Sequence, residues 1–133
     1  MAIYNDLLAD TQPGGRLERF EKVESSEVEK LKSIYPNLPE DYLSFLEEVG
    51  NGEIGNAAYM IYNGVLSPDE IYDETTAESL SDILIFGDDM QGFCSGFDVE
   101  HGWSVVEVDP IDVSYRKTFD CFSDFVRDKL KLI

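Results

Sequence analysis

The segment Asn37-Leu38-Pro39-Glu40-Asp41-Tyr42-Leu43-Ser44-Phe45-Leu46-Glu47-Glu48-Val49-Gly50-Asn51-Gly52 spells out a helix together with both of its ends. Pro39 suits the first helical position, where its missing amide proton costs nothing, and Glu40 and Asp41 lie against the positive end of the helix dipole. Tyr42, Phe45, Leu46 and Val49 recur at helical spacing and make one apolar stripe. Gly50 or Gly52 can then take the left-handed conformation that closes a helix.

The rest of the chain arranges itself around that helix. Ile3, Tyr4, Leu7 and Leu8 have helical spacing before Pro13-Gly14-Gly15 breaks the chain, which predicts an arm or short helix over residues 1–19, packed on a domain over 20–133. Ser26-Glu27-Val28-Glu29 has capping-box spacing, and Val28, Leu31, Ile34 and Tyr35 mark the apolar face of a helix that stops before Pro36. After Gly52 the segments become short. Ala57 to Tyr62 reads as a strand closed by Asn63-Gly64, and Ser67-Pro68-Asp69-Glu70 starts a short helix. A further helix start falls at Thr75 to Glu78. Ile83 to Phe86 is an uninterrupted apolar run of strand length, a central strand covered on both faces. Gly92 to Asp98 and Trp103 to Asp109 form a hairpin through Glu100-His101-Gly102. Phe122, Phe125, Val126 and Leu130 share one face of a last helix that begins around Phe119 to Ser123. Arg127, Lys129 and Lys131 complement the C-terminal end of its dipole. Helices, then strands, then a helix predict a single α+β domain with a mainly antiparallel sheet.

Charge is distributed unevenly along this order. Between Ser33 and Tyr115 there are eighteen Asp and Glu residues and no Lys or Arg, while the two ends balance ten acids against ten bases. The formal net charge of -18 therefore belongs to the middle. Such a surface repels nucleic acid and anionic membrane and attracts basic partners. The acids are not a disordered tail: 43% of the 133 residues are hydrophobic, with one Trp, seven Tyr and eight Phe, enough for a core. The start of the chain lacks a basic and apolar leader pattern, which predicts a soluble cytoplasmic protein. Cys94 and Cys121 belong to no CxxC unit and read as free thiols.

Leu38-Pro39-Glu40-Asp41-Tyr42-Leu43-Ser44-Phe45-Leu46 with Asn51-Gly52 resembles the recurring helix-opening motif of the SUKH superfamily. Phe86-Gly87-Asp88-Asp89-Met90-Gln91-Gly92, Phe97-Asp98 and Trp103 to Asp109 are similar to that family's second block. The likeness extends over roughly Phe20 to Leu130, with Gly50-Asn51-Gly52-Glu53 standing where the family commonly has Asn-Gly-Gly. The resemblance implies a binding role: bacterial members are immunity proteins that neutralise toxin domains, often nucleases, of polymorphic or contact-dependent systems. Eukaryotic relatives act as interaction and regulatory modules, and no catalytic residues are shared. An immunity protein with a basic toxin domain as partner is therefore expected, and a regulatory module without a toxin partner is the alternative.

Nucleases attract phosphate with basic clefts, so carboxylates presented to such a cleft can occupy it as a nucleic-acid mimic. Glu40, Asp41 and Glu70 are accounted for by helix starts. The surplus, Asp69, Asp73, Glu74, Glu78 and Asp82, with Asp88 and Asp89 on a turn, is the candidate partner-binding set. The single histidine, His101, sits in a predicted turn with no Ser or Cys nucleophile motif beside it. Asp88, Asp89 and Asp109 bring oxygen ligands but no twelve-residue calcium loop. Trp103, Phe93 and Phe97 read as core filling. No catalytic residue, metal or cofactor is expected.

Overall fold

Six strands form one sheet in which each lies beside its neighbour in sequence: β1 (Gly52–Ile54), β2 (Tyr59–Leu66), β3 (Ile83–Asp88), β4 (Cys94–Asp98), β5 (Ser104–Val108) and β6 (Tyr115–Phe119). Every pair is antiparallel. Around the sheet run α1 (Ser25–Ile34), α2 (Glu40–Glu48), α3 (Glu74–Ser79) and α4 (Phe122–Lys131), with short 3-10 turns at Asn5–Thr11 and Pro68–Glu70. The computed structural model describes residues 3–55 and 59–131. This is the α+β architecture expected from the order of periodicities.

β3 has five consecutive buried residues because both of its faces are covered. Successive strand side chains point to opposite faces, so Leu84 and Phe86 join one core cluster while Ile83 and Ile85 join another. The larger cluster holds the stripes of α2 and α4: Tyr42, Phe45 and Leu46 meet Phe122, Phe125 and Leu130. Phe86 lies at its centre, with ring centroids 4.9 Å from Phe97, 5.0 Å from Phe125 and 5.1 Å from Phe122. On the opposite face Leu80, Cys94, Val106 and Val108 are packed under Tyr62, Tyr72 and Val113. The segment between β2 and β3 is thus the cover of the second face. Cys94 is buried and Cys121 half-buried, and both are free thiols.

Several local expectations shift. Pro39 is the N-cap of α2 rather than its first residue. α1 begins at Ser25 with extended Glu24 as its cap and no side-chain cap bond, so Ser26 lies inside the helix and forms no capping box. The phase is set by burial of Val28, whose amide donates to the Glu24 carbonyl at 3.1 Å. The strand expected to close at Asn63-Gly64 runs on to Leu66, with a register shift between Ile61 and Leu66; Ala57 lies outside the described residues. Gly64 serves close packing: a Cβ there would lie 3.1 Å from Leu31 Cδ2. β1 and β6 were not expected. β6 is an edge strand whose Tyr115, Arg116 and Lys117 are exposed, and charged exposed residues are how edges avoid pairing with other chains.

The N-terminal arm contributes to the main core, where Tyr4, Leu7 and Leu17 are buried. The Tyr4 hydroxyl donates to the Asp41 carbonyl at 2.8 Å, and its amide donates to the Glu48 carboxylate at 2.9 Å. Arg127 pairs with Asp6 at 2.9 Å, and Arg16 with Asp10 at 2.9 Å. These hydrogen bonds from the guanidinium groups hold both carboxyls below their usual range. A depressed folded-state pKa means that the contribution is present above the unfolded value, about 4, and is lost as pH falls through the lower folded one. Both pairs are partly exposed, so each is worth little. Acidification below about pH 4 is expected to raise amide exchange at Leu7 and Leu17 relative to Phe86. An unchanged ratio down to that range would show that the pairs do not hold the arm.

Candidate partner-binding site

The acidic segment between β2 and β3 is built by its own side chains. The Ser67 amide donates to the Glu70 carboxylate at 2.8 Å, and the Ser67 hydroxyl donates to Asp69 at 2.5 Å and Glu70 at 3.0 Å. This reciprocal cap starts the 3-10 turn at Pro68. Asp73 caps α3, accepting from the Thr76 amide at 2.8 Å. That backbone hydrogen bond, helped by the Thr76 side chain, lowers the Asp73 pKa. Leu80 then plunges into the second core cluster and fixes the segment on the sheet.

The result is an open groove of about 450 Å³ walled by Asp69, Glu74 and Glu78, with Pro68, Tyr72 and Ala77 among its lining. The three carboxylates are exposed. Asp82 follows at the mouth of β3, exposed beyond Ser81, which also lines this groove. Among the described residues none of the seven candidate acids takes part in an ion pair, whereas Asp6, Asp10, Glu53 and Glu107 do.

Asp88 and Asp89 do not join the groove. Both are half-buried in the β3–β4 turn. Asp88 accepts from the Tyr62 hydroxyl at 2.5 Å and the Met90 amide at 2.7 Å. Asp89 accepts from the amides of Gln91 at 2.8 Å and Phe93 at 3.0 Å. Their charge is spent on holding a turn whose Met90 has a left-handed φ of 64°. Side-chain hydrogen bonding to nearby amides is ordinary work for Asp in turns, and the doublet Asp88-Asp89 before Gly92 carried that signal in the sequence.

One pair was missed. Asp98 is buried at the end of β4, and its carboxylate lies 2.9 Å from His101 Nδ1. The imidazole itself is exposed, and Ser104, the neighbouring hydroxyl, donates to the His101 backbone carbonyl rather than to the ring. The arrangement pins the β4–β5 turn. It lacks the nucleophile-to-base hydrogen bond that covalent catalysis requires. Among the described residues no group of three or more His, Cys, Asp or Glu side chains is arranged to hold a metal, and no helix is long and apolar enough to cross a membrane.

The family model described as SMI1 / KNR4 family (SUKH-1) matches residues 22–128. The chain belongs to this family. The matched range covers α1 through most of α4, and so includes the Leu38 to Leu46 motif, the entire sheet and the acidic groove. No curated protein matches the sequence. Within the SUKH-1 domain the motif residues Leu38, Tyr42, Phe45 and Leu46 are buried. They build the fold, and the groove is made by residues outside that motif.

Proposed function

We propose that this SUKH-1 domain is a non-catalytic, cytoplasmic protein-binding domain that neutralises a cognate toxin domain by seating its acidic groove over a basic, nuclease-type cleft. One observation carries the reading: Asp69, Glu74 and Glu78 surround one groove with Asp82 beside it, all exposed and none ion-paired among the described residues. Unpaired carboxylates on a protein of net charge -18 attract a basic surface across solvent and speed its encounter. Asp73 adds to the same field while capping α3, and Asp88 and Asp89 contribute charge without being free to rearrange. The family's immunity-type members supply the class of partner.

Co-expression tests the pairing. A basic toxin domain encoded beside this gene is expected to kill a bacterial host alone and to be silenced by this chain; continued killing with both proteins confirmed as expressed sinks the toxin reading and leaves a regulatory module. The electrostatic part has its own measurement. Neutralising Asp69, Glu74, Glu78 and Asp82 together is expected to slow association about tenfold or more at low salt and to flatten its salt dependence. An unchanged on-rate would remove the groove from the encounter.

A further inference from the structure

A second groove, of about 270 Å³, adjoins the acidic one. It lies between the C-terminal end of α1 and the β4–β5 turn. Ile34, Tyr35, Leu84, Val99 and Trp103 line it, with Asp82 on its rim. Ser81 lines both grooves, so the apolar surface and the acidic surface are continuous. Ile34 is 66% exposed although it ends a helix whose Val28 is buried. Trp103 is half-buried, with its ring centroid 6.1 Å from that of Phe97 in the core, and its backbone is left-handed at φ 59°. Its amide donates to the Asp98 carbonyl at 2.9 Å, which holds that unusual conformation in place. The indole is thus packed on the core cluster while it also walls the groove.

We infer that this groove is the anchor pocket of the partner-binding surface and takes one aliphatic side chain from a segment flanked by lysines or arginines. The inference rests on the binding role proposed for the acidic groove. Charge complementarity selects the occupant: Asp82 stands on the rim and Glu78, Glu74 and Asp69 continue from Ser81, so cations on either side of the inserted residue meet carboxylates. Among the described residues none of these four carboxylates is ion-paired within the chain. Tryptophan-lined, partly preformed pockets are where interface energy concentrates, while rim charges set orientation and rate.

Trp103 is the chain's single tryptophan, so its emission reports on this pocket alone. The probe is a short amidated peptide with one leucine between two pairs of lysines, compared with a twin that has serine in place of leucine. The leucine peptide is expected to shift Trp103 emission saturably and to bind about tenfold more tightly than the twin, the difference that burying one leucine side chain supplies. Ile34→Glu places a charge at an exposed position without disturbing the core, and is expected to erase that preference while both peptides still bind. Equal binding of the two peptides to the native protein, with salt dependence but no emission change, overturns the anchor pocket and leaves the acidic surface standing. No binding by either peptide overturns both. A leucine preference that survives Ile34→Glu places the anchor elsewhere and also refutes the inference.

Discussion

Phe86→Ala is expected to cost about 3–5 kcal/mol, the range for emptying a large aromatic site in a closed core. Phe86 is fully buried in β3, one of the two central strands of the sheet. Its ring contacts four others, on three different elements: Tyr42 on α2, Phe97 on β4, and Phe122 and Phe125 on α4. Those neighbours are themselves 1% exposed or less, and their rings are held against one another, so the cavity cannot collapse from any one side. Domains of this size are stable by about 5–15 kcal/mol. The variant is therefore expected to lose about a fifth or more of that margin, read as a lower urea midpoint at unchanged slope. A loss below about 1 kcal/mol, the scale of a tolerated volume-conserving swap, would mean that the aromatic cluster repacks freely.

Gly50→Ala is the second large effect, and it arises from the backbone. Gly50 has φ 111°, and a Cβ built on it would lie 2.0 Å from the Glu21 carbonyl oxygen. That oxygen is not free to retreat: it accepts from the Asn51 amide at 3.0 Å and from Asn51 Nδ2 at 3.1 Å, while the Glu21 amide donates to the Asn51 carbonyl at 3.0 Å. Substitution must break this bridge as well as strain φ, which together are expected to cost about 3 kcal/mol. Gly14 separates the two contributions. It has φ 88° with nothing within 4 Å of a built Cβ, so Gly14→Ala should cost only the dihedral penalty, about 1 kcal/mol. Equal losses in the two variants, measured by thermal or urea unfolding, would assign the whole effect to φ and none to the bridge.

These two residues also mark what sequence reading reached. The run Ile83 to Phe86 announced a strand covered on both faces because no polar residue interrupted it, and the structure buries it so. Gly50 was legible as one of two glycines, with Gly52, that could end the helix, since Gly after an apolar stripe has few other uses. Its contact with Glu21 was not, because a bridge between residues so far apart leaves no local pattern. β6 was hidden for a related reason: Tyr115-Arg116-Lys117-Thr118-Phe119 carries the charge of a solvated edge and too little apolar alternation to declare a strand. Asn63-Gly64 misled because a glycine required by Leu31 overhead has the same letter as one required by a turn.

The candidate acids divided along similar lines. Each was recognisable as surplus charge, but whether a carboxylate is free depends on the amides near it in space. Asp88 and Asp89 face amides two to four residues ahead, an Asx pattern that the turn sequence does suggest. Asp69, Glu74 and Glu78 come together because Leu80 and Tyr72 tie their segment to the second face of the sheet, which only the tertiary structure reveals. The groove containing Ile34 and Trp103 joins residues from the α1 end and the β4–β5 turn, and no spacing rule connects those positions.

The strictly sequential order of the sheet has a consequence for a chain made from its N-terminus on a ribosome. Each strand pairs with the one made just before it, so the sheet can grow in chain order, and its longest connection to close is the one between β2 and β3 that carries α3. Its main apolar face has a different schedule. Phe122, Phe125, Val126 and Leu130 all lie on α4, which follows all six strands in the chain, so Phe86 and Phe97 stay uncovered by that helix until the whole sheet has been made. The nascent chain therefore carries a sheet whose main apolar face is covered by α2 and the N-terminal arm but not yet by α4, and the part left open is the kind of surface that chaperones recognise. Its dense negative charge can keep such chains apart during that interval.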